Sequence, residues 1–97
     1  MESKIAITWS IPAMLRRHTA GESSLRVELQ EPDFKNAVQR LLERFPELAE
    51  HFDLNGNAPR ANMPIFLNHE QITDFSSMAV VLRNGDELLM VPALAGG

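Results

Sequence analysis

The chain predicts an α+β fold in which one main helix packs on a mixed sheet of four to five strands. Three observations predict it. A single apolar stripe at helical spacing runs through residues 34–45. Extended apolar runs lie on both sides of it in sequence, at 4–11, 24–29, 63–67 and 87–92. The turn-forming residues fall between these runs.

Residues 4–11 place Ile5, Ile7, Trp9 and Ile11 on one side, with small or polar residues between them. Strand side chains alternate between faces, so this is a strand with one buried face. Pro12 ends it, because proline cannot donate to a ladder. Residues 12–22 are a connection carrying Arg16, Arg17, His18 and Gly21. In residues 24–29 the alternation returns, with Leu25, Val27 and Leu29 on one face. The two runs make a long-looped hairpin.

Phe34, Ala37, Val38, Leu41, Leu42 and Phe45 then form one continuous helical stripe. Pro32 and Asp33 suit its first turn, and Pro46 disfavours helical geometry at Phe45. Residues 47–52 allow one more helical turn. Residues 53–62 are rich in Asn and read as loop. Residues 63–67 are a third strand, and Asn68-His69-Glu70 a turn. Residues 71–81 allow a very short strand near Ile72. Arg83-Asn84-Gly85-Asp86 is a strong turn before the last strand at 87–92. Strand, strand, helix, strand, short element, strand is the order of the β-grasp fold, in which the helix buries its stripe on one sheet face.

At 97 residues the chain supports one domain with one core. It has no cysteine, which removes disulfides, thiolate metal sites and a cysteine nucleophile. A net charge of −4 argues against general nucleic-acid binding and suits docking on a basic surface. No apolar run reaches membrane-spanning length and no signal peptide is visible, so no membrane role and a cytoplasmic location are expected. His18, His51 and His69 lack ligand spacing, and Ser23-Ser24 lacks a nearby His/Asp arrangement. No catalytic residue and no metal site are therefore expected. Met14, Met63, Met78 and Met90 are read as packing residues.

The chain closes on Val91-Pro92-Ala93-Leu94-Ala95-Gly96-Gly97. Two glycines without Cβ atoms make the terminal carboxylate thin enough to enter another protein's active site. Extended, residues 93–97 reach roughly 16 Å beyond the last strand, at ~3.3 Å per residue. The division expected is a β-grasp domain over 1–92 and a flexible tail over 93–97, with Gly97 as the functional group. Gly96, Ala95, Leu94 and Ala93 would be the tail's recognition elements, Leu94 being its one large side chain.

Residues 84–97, from Asn84-Gly85-Asp86 through the apolar strand and Pro92 to Gly96-Gly97, resemble the C-terminal signature of the ubiquitin-like sulfur carriers of the MoaD/ThiS superfamily. Residues 11–21, Ile-Pro-Ala-Met-Leu-Arg-Arg-His-Thr-Ala-Gly, resemble the opening of the CysO-type carriers, and Asn68 after Phe66-Leu67 fits them too. The resemblance implies a protein co-substrate, not an enzyme. An E1-like adenylating/sulfurtransferase enzyme would use ATP to adenylate Gly97, and a thiocarboxylate would follow. In the CysO branch a pyridoxal-phosphate-dependent cysteine synthase accepts the sulfur and a zinc metalloprotease releases cysteine. ATP, pyridoxal phosphate and zinc would thus sit on partners, with no cofactor on this chain. Within the class the alternatives are the small subunit of molybdopterin synthase, docking on its large subunit, or a carrier for another sulfur metabolite. Outside it stand a protein modifier and a non-transferring interaction domain.

Strand alternation also yields a docking face. With Leu88 and Met90 towards the helix, Leu89 and Val91 face out. With Ile65 and Leu67 inward, Phe66 faces out. Phe66, Leu89 and Val91 then form an apolar patch on the open sheet face.

Overall fold

The computed structural model describes residues 4–53, 58–60 and 63–92. Strands β1 (Ile5–Ser10) and β2 (Ser24–Leu29) flank a 3-10 helix at Ala13–His18. Helix α1 (Phe34–Arg44) is followed by a second 3-10 helix, Pro46–His51, and then by β3 (Ile65–Leu67), β4 (Glu70–Gln71) and β5 (Glu87–Met90). All five strands form one sheet in the order β2-β1-β5-β3-β4. Strand β5 runs parallel to β1 and antiparallel to β3, so the last strand fills the middle of the sheet. This is the mixed sheet and single main helix of the β-grasp arrangement.

Alternation decides the faces. Ile7, Trp9, Leu29, Ile65, Leu88 and Met90 are buried beneath the helix. Trp9 is fully buried and donates its indole N–H to the Ala37 carbonyl of α1 at 3.0 Å. Phe34 and Phe52 meet the Trp9 ring edge-on at 6.1 and 6.2 Å. Each large apolar side chain buried this way contributes about 1.5–3 kcal/mol, which makes the Trp9 cluster the main tie between sheet and helix.

Asp33 caps α1: its side chain accepts the Asn36 N–H at 2.9 Å. The helix therefore starts two residues later than a first turn containing Pro32 and Asp33. It stops at Phe45, before Pro46, as the sequence requires.

Four local expectations are corrected. The 12–22 connection contains the 3-10 helix Ala13–His18, anchored by buried Leu15, whose N–H bonds the Pro12 carbonyl at 2.9 Å. Strand β3 begins at Ile65 because Pro64 has no N–H to give. The short strand is Glu70–Gln71, and the turn shrinks to Asn68 and His69. Strand β5 ends at Met90, although the Val91 N–H still reaches the Pro64 carbonyl at 2.9 Å.

Met63 and Met90 pack in the core, but Met14 and Met78 do not; Met78 is 91% exposed. Their segments hold by other means. Residues 79–82 are fixed by buried Val80 and Leu82, with the Leu82 N–H bonded to the Pro32 carbonyl at 2.8 Å.

Candidate functional site: the end of the central strand and the open sheet face

Strand β5 is fastened at its start by one hydrogen-bonded unit built from two distant segments. Gly85 adopts φ +91, which closes the turn before it. The Asn84 Oδ1 accepts the Ala6 N–H at 2.9 Å, and the Gly85 N–H bonds the Ala6 carbonyl at 2.8 Å. Asn68 acts from the other side. Its Nδ2 donates to Asp86 Oδ1 at 2.8 Å, and its Oδ1 accepts the Glu87 N–H at 2.9 Å. The remaining oxygen of Asp86 accepts the Arg83 N–H at 2.8 Å. Asn68 sits at φ +49, a left-handed conformation that asparagine tolerates better than most residues. The Asn84-Gly85-Asp86 and Asn68 signatures are thus one clamp holding β5 against both neighbours.

The open face follows from the register. Ser24, Ser10, Leu89, Phe66 and Gln71 form a row across all five strands. Phe66 and Leu89 are half-buried, and Val91 beyond them is 38% exposed. Pro92 is half-buried and closes the described chain. Ala93, Leu94, Ala95, Gly96 and Gly97 lie outside the described residues.

The histidines do not converge on a metal. His18 Nδ1 lies 2.7 Å from Glu47 Oε1, and its Nε2 accepts the Arg17 Nε–H at 3.2 Å. This contact ties the two 3-10 helices together. Burial holds His51 below its ordinary value of 6.5; Glu50 opposes, while His18 and Arg60 lower it further. His51 Nε2 is buried and 3.9 Å from Glu50 Oε2, too far for a hydrogen bond. His69 is exposed in its turn. Among the described residues, no group of three or more histidines and carboxylates is placed to hold a metal ion. No described helix is long and apolar enough to cross a membrane.

Solved structures align with this chain over nearly its whole length. Small archaeal modifier protein 1 of Haloferax volcanii superposes with a TM-score of 0.75 at 22% identity, over 95% of this chain and 99% of that one. CysO of Mycobacterium tuberculosis gives 0.72 at 23%, over 91% and 99%. The chain has the ubiquitin-like β-grasp fold. A chain of the Amycolatopsis orientalis BexX/CysO complex gives 0.73 at 29% identity, over 94% and 99%. No protein-family model matches this chain, and no curated protein matches it. The archaeal modifier superposes at least as well as the CysO chains, so the comparison does not single out the CysO branch.

Sequence reasoning missed two features. The His18–Glu47 contact spans 29 residues, and nothing local announces it. A basic cleft beside β2 was also missed, although Arg40 and Arg44 stand at helical i,i+4 spacing on α1.

Proposed function

We propose that this chain is a protein co-substrate of the sulfur-carrier and ubiquitin-like modifier class, acting through the carboxylate of Gly97. One observation carries the reading. The strand that leads into the Ala-Leu-Ala-Gly-Gly segment is the central strand of the sheet, clamped at its start and bonded through Val91 at its end. Hydrogen bonds hold the handle as far as Val91.

The chemistry needs no catalytic group here. A carboxylate is a poor electrophile. Attack by its oxygen on the α-phosphorus of ATP, on an E1-like adenylating enzyme, expels pyrophosphate and gives an acyl-adenylate. A sulfur nucleophile then attacks the acyl carbon and AMP leaves with the bonding electrons. With sulfide as the nucleophile the product is a thiocarboxylate, itself a strong nucleophile at neutral pH. The Phe66, Leu89 and Val91 surface docks the body while residues 93–97 enter the partner's site, with Leu94 as their one bulky contact.

Two readings of the later step have support. The 29% identity to a chain of a BexX/CysO complex supports sulfur donation, with cysteine biosynthesis on a pyridoxal-phosphate-dependent synthase and a zinc metalloprotease as the finer form. The superposition on small archaeal modifier protein 1 supports attachment through Gly97 to other proteins, and is at least as close.

The test is intact mass after incubation with ATP, sulfide and an adenylating enzyme from the same source. Replacement of one oxygen by sulfur on the C-terminal peptide is expected. It should vanish when Gly96 and Gly97 are deleted. An unchanged mass with an enzyme that consumes ATP on a related carrier would reject the reading. Isopeptide-linked adducts in cell extract would select the modifier.

A further inference from the structure

We infer that the cleft between β2 and α1 takes an acidic, extended segment of another protein as an added strand. The cleft measures about 600 Å³ and lies on the far edge of the sheet, away from the Phe66 surface. Strand β2 is terminal in the sheet, so among the described residues one side of its backbone has no neighbouring strand.

The register says which groups that side offers. Hydrogen-bonded antiparallel pairs exchange both bonds and alternate with pairs that exchange none. The Ile11 N–H donates to the Ser23 carbonyl at 2.9 Å, so in the β1–β2 register Trp9–Leu25 and Ile7–Val27 are bonded pairs. Ser24, Arg26 and Glu28 belong to the other set. Their N–H and C=O groups point out of the sheet. The same alternation holds across β1, where the Thr8 N–H turns away from β2 to the Asp86 carbonyl at 2.9 Å. Alternating donors and acceptors along an edge match another peptide backbone; a phosphate or carboxylate alone would leave the carbonyls unmet.

Charge then selects the partner. The chain as a whole carries −4, yet Lys4, Arg26, Arg40 and Arg44 line this cleft against only Glu28 and Glu43. Glu43 is already engaged by Arg40 Nη1 at 3.0 Å. The Arg40 Nε is buried and has no hydrogen-bond partner among the described residues. Half-buried Leu25 and Val27 supply an apolar floor between the charges. A second copy of this chain is the wrong occupant, because pairing β2 with β2 sets one cationic cleft against another. An acidic strand with alternating apolar residues meets the open backbone, the floor and the charges together.

The probe is a capped peptide of alternating valine and glutamate, titrated into the full-length protein and followed by amide NMR; a valine–lysine peptide is the control. Shifts confined to residues 24–29 and 40–44 are expected, with slowed exchange of the Arg26 and Glu28 amides. Arg44→Glu combined with Arg26→Glu should weaken binding on the order of tenfold, as two rim charges reverse. Glu28→Pro should abolish binding by removing an outward N–H, whereas Glu28→Ala should bind no worse than the parent. Edge strands tolerate proline, and thermal melts check that each variant is folded. Equal binding of the lysine peptide, shifts centred on Phe66, no shift at all, or dimerisation through β2 in sedimentation would each overturn the inference.

Discussion

Phe66 and Leu89 stand directly opposite each other across the antiparallel β3–β5 pair, both half-buried on the face that α1 does not cover. Their inward neighbours Ile65 and Leu88 are fully buried. The pair can therefore be changed without opening the core. Phe66→Asp should cost about 1 kcal/mol of stability, the scale of one cross-strand contact. It should sharply reduce turnover by the adenylating enzyme. A urea titration beside an ATP–pyrophosphate exchange assay checks both, and an unfolded variant would mean that Phe66 is core.

Asn68 makes two side-chain bonds to the Asp86–Glu87 corner from a left-handed backbone. Asn68→Ala should lose both bonds and add backbone strain, for about 2 kcal/mol. Asn68→Gly should lose the bonds but relieve the strain, and so cost less. Chemical denaturation of the two variants orders them; equal losses would show that backbone conformation plays no part.

Trp9 is the one tryptophan, so its fluorescence reports on the core directly. Trp9→Ala should remove about 3–5 kcal/mol, a large share of the ~5–15 kcal/mol available to a small domain. Trp9→Phe keeps most of the volume and loses the bond to the Ala37 carbonyl, so it should fold with a loss of about 1–2 kcal/mol. Calorimetry of both variants tests the ranking.

Acidification should weaken the fold through His51. Its folded value lies below 6.5 because burial disfavours the imidazolium, so between the two values the unfolded chain holds more protons. Stability is full above about 6.5, falls as pH drops below it, and levels off beneath the folded value. His51→Gln should flatten this slope. Asp74 titrates in a separate, more acidic window. The Ser76 N–H and side chain hold its carboxyl below 3.8, so its contribution is present above that value and is lost as pH falls through the folded one.

Elements with a strong local period were readable from the chain. The α1 stripe, the alternation of β1 and β2, and the inward set Leu88 and Met90 all follow from side-chain geometry alone. The 3-10 helix at Ala13–His18 buries only Leu15 and has no period to detect. Strand β4 has two residues, both exposed, and owes its place to pairing with Phe66 and Leu67. The clamp at Asn68 joins residues 18 apart, and only the resemblance to known carriers singled Asn68 out beforehand. Gly97 was legible from the terminal Gly96-Gly97 pair itself, and the resemblance added the chemistry expected of its carboxylate.

The parallel pairing of β1 with β5 bears on how the protein answers a pull. Tension applied between the start of β1 and the end of β5 runs along both strands in opposite senses. The bonds between them, including that from the Thr8 N–H to the Asp86 carbonyl, then carry the load together in shear and cannot open one at a time. An enzyme hauling on the carboxyl end would move the whole body before it unzipped the sheet.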